Sequence, residues 1–97
     1  MERLYPAVIG QDEDGGVFGV VFPDFPGCVS VGDTLNEAIE MGAEALGLHL
    51  SGMLRDGDEI PEPTPLDRVR LEPGEEGFSI VPIPVDVPED MPSARAD

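Results

Sequence analysis

The chain has 97 residues and carries 21 acidic side chains against five basic ones, which gives a formal net charge of −16. This length suits one domain with one hydrophobic core, and the acidity argues against direct DNA or RNA binding, because phosphate backbones are bound by clustered lysine and arginine. Its single cysteine and the lack of a signal-peptide or bilayer-length apolar run predict a cytoplasmic protein with no membrane contact, metal site or cofactor.

The first third of the sequence predicts an antiparallel meander of three strands. Residues 3–9, 17–22 and 28–31 are short segments rich in β-branched and aromatic side chains. An acidic Gly-Gly cluster at 11–16 separates the first two segments, and two prolines and a glycine within 23–27 end the second. Each interruption is typical of a turn.

A single long helix is predicted next, from about Leu35 to about Asp56. No proline occurs between Gly27 and Ile60, and the apolar residues of this window recur at helical spacing. Thr34 as N-cap, with Glu37 three positions later, forms the pattern of a capping box. Gly57 is suited to end the helix.

The last third predicts a connection and one edge strand. Residues 57–76 hold four prolines and many charges, which favours an extended connection, and 78–87 read as a strand. Pro82 and Pro84 are two residues apart and face the same neighbouring strand, and neither has an N–H to donate to it. This strand should therefore lie at a sheet edge. A helix between two strands usually makes a crossover to a parallel neighbour, so we expect this strand to run parallel beside the first. Residues 89–97 should fray.

Three sequence segments between Tyr5 and Leu54 resemble those of the HicB antitoxin family. They are YPAVI at 5–9, DEDGGVFGVVFPDFPGCVSVGDTLNEAIE at 12–40, and EALGLHL at 44–50. The acidic Gly-Gly turn, F-P-D-x-P-G and G-D-T-x-x-E-A follow one another at the spacing of that family. The resemblance implies an α+β fold, a single β-β-β-α-β domain over 1–88 that forms a partial RNase H-like sheet with one packed helix at about 34–56.

The resemblance also implies a function. Family members bind a small basic ribonuclease toxin of the HicA type and occlude its active site, and a chain at −16 is suited to such a target. Only about ten residues follow the last predicted strand, whereas many family members carry a C-terminal DNA-binding domain, so we do not expect autorepression. A solitary member without an adjacent toxin gene is one interpretation. The small size favours a homo-oligomer.

The candidate partner-binding residues are Asp12, Glu13, Asp14, Asp24 and Phe25. An exposed phenylalanine surrounded by carboxylates would suit a basic and partly apolar protein. Ordinary solvated turns explain the same residues, and the sequence leaves both readings open.

Two other functions are compatible with the sequence. One is a stand-alone oligomeric module that binds a protein or a small ligand without any toxin. The other is a remote possibility, a nuclease in which Asp12, Asp14, Asp24 and Asp33 hold Mg²⁺ ions. Turn and capping roles explain these aspartates more simply.

Neither the single histidine nor the single cysteine indicates catalysis. His49 lies on the apolar side of the predicted helix, where a packed or interface histidine is more common than a catalytic one. Cys28 reads as a small buried strand residue. We therefore predict no enzyme activity.

Overall fold

The computed structural model describes residues 1–11 and 15–87. The elements are β1 (Glu2–Gln11), β2 (Phe18–Val21), β3 (Val29–Gly32), α1 (Leu35–Asp56), a 3-10 turn (Leu66–Arg68) and β4 (Ser79–Asp86). The α+β class and the β-β-β-α-β order predicted from the sequence are confirmed. Segments 12–14 and 88–97, which include the predicted frayed tail, lie outside the described residues.

The four strands form one antiparallel sheet in the order β3-β2-β1-β4. Val8 of β1 lies opposite Val21 of β2, and Val21 in turn lies opposite Val29 of β3. On the other side of β1, Pro6 faces Pro82. The edge position predicted for the proline-containing last strand is thus confirmed.

The direction predicted for β4 is wrong. It lies beside β1 as expected, but the two strands are antiparallel, with Ile9 opposite Ser79 and Glu2 opposite Asp86. The connection after α1 explains the reversal: it starts near the beginning of β1, where the Tyr5 hydroxyl donates to the Pro61 carbonyl, and returns to the far end of β1 before β4 starts. The chain therefore enters β4 from the opposite end to that of a simple crossover.

Local signals set both ends of α1. The Thr34 hydroxyl accepts a hydrogen bond from the Glu37 amide at 3.0 Å, as a capping box requires, and the Glu37 carboxylate accepts one from the Asp33 amide at 2.8 Å. At the other end Gly57 has a φ of 76°, a left-handed conformation. Its amide donates to Leu54 and the amide of Asp58 donates to Met53, so two carbonyls of the last turn are satisfied.

The two faces of the sheet have different environments. The inner face packs against α1 and is buried; it carries Tyr5, Ala7, Ile9, Val20, Phe22 and Ile83. On the outer face the connection covers one end, where a Cβ added to Gly10 would overlap the Phe78 ring. Three outer-face valines remain 36 to 61 % exposed: Val21, Val29 and Val31.

Candidate functional site

The loop between β2 and β3 folds back onto the second half of α1. Phe25 is only 2 % exposed, so the exposed phenylalanine expected from the sequence is wrong. Its ring makes edge contacts with Tyr5, at a centroid distance of 4.8 Å, and with His49, at 5.7 Å. Phe25, although it lies in a loop between two prolines, is thus part of the core, because its ring fills the space between β1 and α1.

Asp24 ties this loop to the connection. One carboxylate oxygen accepts a hydrogen bond from the Thr64 amide at 2.9 Å, and the other accepts one from the Thr64 hydroxyl. Asp24 is therefore half-buried and engaged within the chain. A structural role for this aspartate is established by its contacts, whereas a role in partner binding stays a prediction.

The structure does not describe the rest of the predicted site. Asp12, Glu13 and Asp14 are outside the described residues, but Gln11 and Gly15, which flank them, are joined by a 3.1 Å hydrogen bond from the Gln11 amide group to the Gly15 carbonyl. These flanking residues lie at the end of the sheet opposite the β2–β3 loop, since β2 runs antiparallel to β1. Asp24 and Phe25 are therefore not close to Gln11 and Gly15.

An open depression of about 470 Å³ lies where the β2–β3 loop meets the end of α1. It is lined by Asp24, Phe25, Pro26, Leu48, His49, Gly52, Met53, Asp56 and Asp58, and we call this surface the acidic depression. Asp56 and Asp58 stand at the C-terminal end of α1, where the helix dipole is already negative. The depression thus combines negative potential with an apolar wall that includes Leu48, which is 70 % exposed.

Sequence reasoning missed most of the acidic depression. A helical signal existed, because His49, Gly52, Met53 and Asp56 follow one another at the spacing of a single helix face. Nothing local indicated that the β2–β3 loop would pack beside this face. The approach of the two segments is a tertiary feature.

The lone histidine and cysteine have packing environments. His49 is half-buried against Phe25, which favours the packed role over a catalytic one. Cys28 is 4 % exposed, as predicted for a buried residue. Burial raises the pKa of the Cys28 thiol, so the thiol stays protonated and is a poor nucleophile.

The aspartates of the nuclease hypothesis do not gather in the described part of the chain. Asp24 follows β2 and Asp33 follows β3, and because these strands are antiparallel the two aspartates lie at opposite ends of the hairpin. Within residues 1–11 and 15–87, no cluster of three or more His, Cys, Asp or Glu could hold a metal ion. Over the same residues, no helix has the length and apolar character needed to cross a membrane.

Comparisons with known proteins identify relatives over most of the chain. An uncharacterized 14.9 kDa protein of Haemophilus phage HP1 is 40 % identical over 92 residues, which cover 95 % of this chain and 68 % of the phage protein. Antitoxin HicB 1 of Photorhabdus laumondii is 40 % identical over 62 residues, or 64 % of this chain. The matched region makes up only 39 % of that antitoxin.

A solved structure and a family model agree with these relatives. A chain of the toxin–antitoxin complex from Streptococcus pneumoniae superimposes with a TM-score of 0.77 at 26 % identity, over 100 % of this chain and 78 % of that one. The model of the HicB-like antitoxins of bacterial toxin–antitoxin systems matches residues 5–95. With the match spanning nearly the whole sequence and the same fold present, the chain belongs to the family of HicB-like antitoxins.

Proposed function

We propose that this protein binds a small basic ribonuclease toxin of the HicA type and occludes its active site. Membership of the antitoxin family supports the proposal, as does the likeness to one chain of a toxin–antitoxin complex. The net charge of −16 supports it physically, since opposite charges steer the two proteins together and speed their encounter. No catalytic step is needed, and a toxin that acts on RNA inside the cell would place the antitoxin in the cytoplasm.

The acidic depression is the observation that carries the proposal. Asp56 and Asp58 supply carboxylates at the negative end of α1, and Leu48 and Met53 supply apolar surface beside them. Arginine and lysine side chains of a basic partner combine a charged head with an aliphatic stem, and such a surface accommodates both parts. The binding region would therefore include the predicted Asp24 and Phe25 as its floor.

Asp12, Glu13 and Asp14 are proposed as a separate contact region. A toxin that covered both the acidic depression and the flanking Gln11 would span the length of the sheet, because Gln11 lies at the far end of β1 from the β2–β3 loop. We also propose that the protein is a homo-oligomer and that it does not bind nucleic acid directly, since its charge repels phosphate.

Co-expression with whatever small basic protein is encoded beside the gene tests the function, and the absence of such a neighbour would favour the stand-alone module. We expect the neighbour alone to arrest growth, and we expect this chain to relieve the arrest and to co-purify in a complex that weakens as salt rises. A neighbour that neither binds nor harms the cell would contradict the toxin-binding function.

Charge reversal tests the surface. The double substitution Asp56→Lys with Asp58→Lys should weaken the complex about tenfold or more, because the lysines repel the basic partner at the binding site. Asp67→Lys is the control for a single charge change, since Asp67 is exposed and does not line the acidic depression. The double variant Asp67→Lys with Asp86→Lys is the second control. It changes the total charge by as much as the double variant at Asp56 and Asp58, but at two exposed aspartates outside the acidic depression. Equal weakening by both double variants would show that only net charge matters.

A further inference from the structure

The outer edge of β3 carries unpaired backbone groups whose direction can be worked out from the sheet. Met1 and Val87 exchange both backbone hydrogen bonds, at 2.7 and 3.0 Å, at the end of the β1–β4 ladder. Hydrogen-bonded and non-bonded pairs alternate along an antiparallel ladder, so the proline pair Pro6 and Pro82 falls at a non-bonded position. The odd-numbered residues of β1 therefore bond to β4, and the even-numbered ones face β2.

The same alternation continues across the sheet. Val8 and Gly10 bond to Val21 and Gly19 of β2, which leaves Val20 to bond to Ser30 of β3. The backbone N–H and C=O groups of Val29 and Val31 then point away from the sheet. This open edge differs from the outer edge of β4, where Pro82 and Pro84 remove two of the outward donors.

We propose that β3 pairs antiparallel with β3 of a second copy of this chain, about a two-fold axis at Ser30. In this register Val29 of each copy faces Val31 of the other, and each such pair exchanges both hydrogen bonds. Paired residues must lie on the same face of the sheet, which excludes registers shifted by a single residue. The two sheets become one continuous sheet.

The distribution of charge selects a second copy as the occupant. Segment 17–32 contains one charged residue, Asp24, in a chain that is 27 % charged. A basic partner is drawn to carboxylates, whereas two copies at −16 can approach only where charge is absent. In the proposed register Asp33 lies opposite Gly27 of the second copy, so no two carboxylates of the paired segments meet. The exposed outer-face valines of both copies join into one apolar surface.

The pairing should be weak and should strengthen with salt. A four-residue strand from each copy buries less than the roughly 1,000 Å² of a tight interface, so the dimer should dissociate on dilution. Salt screens the repulsion between the two acidic copies, so dimerisation should increase as ionic strength rises. Binding of a basic toxin has the opposite salt dependence, and the two proposals can therefore fail separately.

Sedimentation velocity over a concentration series up to about 1 mM, at low and high salt, measures the dimer. Val31→Pro removes an outward N–H from an edge strand and should raise the dissociation constant at least about tenfold. Val31→Thr keeps the β-branched shape and the N–H, and should dimerise like the wild type. A wild-type chain that is monomeric throughout, or a Val31→Pro variant that is folded by circular dichroism and dimerises normally, overturns the proposal.

A disulfide tests the register without weakening the strand. Ser30 would face Ser30 of the second copy in a non-hydrogen-bonded pair, with Cα atoms about 4.5 Å apart, within the range that a disulfide bridges. Ser30→Cys should therefore form a covalent dimer on oxidation. Val17→Cys is the control, because Val17 is 43 % exposed but precedes β2; the wild type is the baseline, because Cys28 is buried. Cross-linking of Val17→Cys in preference to Ser30→Cys rejects the register.

Discussion

Individual residues of the β2–β3 loop act within the fold more than the sequence indicated. Phe25 is held between Tyr5 and His49, and Asp24 is bonded to the backbone and side chain of Thr64. Both therefore stabilise the position of the loop that forms one wall of the acidic depression. A variant at either position would change stability as well as any partner binding.

Replacing Asp24 by alanine should lower the free energy of unfolding by about 1–3 kcal/mol, because a half-buried Thr64 amide and hydroxyl lose their charged acceptor. Urea unfolding measures the change. Asp67→Ala, at an exposed position, should stay within about 0.5 kcal/mol of the wild type. Equal effects of the two substitutions would mean that the bonds to Thr64 contribute nothing.

At the scale of elements, α1 is defined by its two ends and by one buried stripe. The stripe consists of Ala38, Gly42, Leu46 and Leu50, which pack on the inner face of the sheet. Gly42 lies close to β2, since an added Cβ would be 3.1 Å from a methyl group of Val20. Gly47 inside α1 and Gly57 at its C-cap both have open space around an added Cβ, so a comparison of the two isolates the effect of backbone conformation.

Gly57→Ala and Gly47→Ala should change stability in opposite directions. At Gly57 the φ of 76° is strained for alanine, so the free energy of unfolding should fall by about 1 kcal/mol. Gly47 lies inside α1 with nothing within 4 Å of an added Cβ, so alanine should stabilise by about 0.5–1 kcal/mol. Urea unfolding of the two variants gives the comparison. Stabilisation by Gly57→Ala would contradict the left-handed cap.

For the whole molecule, charge opposes compactness. Glu37, Glu40 and Glu44 follow one another at helical spacing on α1, and such like-charged neighbours repel. The chain has five basic side chains to offset 21 acidic ones. Arg3 contacts Glu62 at 3.5 Å, but this ion pair adds little stability because the carboxylate is largely exposed. The acidity that favours a basic partner thus costs stability in the free protein.

Adding sodium chloride should therefore raise the melting temperature of the isolated chain. Screening relieves the self-repulsion of a chain at −16, and a gain of ~1 kcal/mol corresponds to roughly 4–8 °C for a domain of this size. The measurement is made at low protein concentration, where copies do not associate. Glu40→Gln should raise the melting temperature at low salt and show a smaller salt effect. A melting temperature that is independent of salt would remove repulsion as a factor.

The sequence by itself determined the features that depend on neighbouring residues. The bounds of α1 follow from helical periodicity, the Thr34 cap and Gly57, and the edge position of β4 follows from two prolines without donors. Family membership could also be predicted, because the motifs around the β2–β3 hairpin keep their spacing. These features need only local geometry and hydrogen-bonding capacity.

Only the tertiary structure decided how distant segments meet. The reversed direction of β4 depends on the path of the connection, the burial of Phe25 depends on the gap beside His49, and the acidic depression depends on the loop reaching the end of α1. Each contact joins residues far apart in sequence, and its free energy comes from packing that periodicity does not encode. The fold class was therefore predictable, and the composition of the site was not.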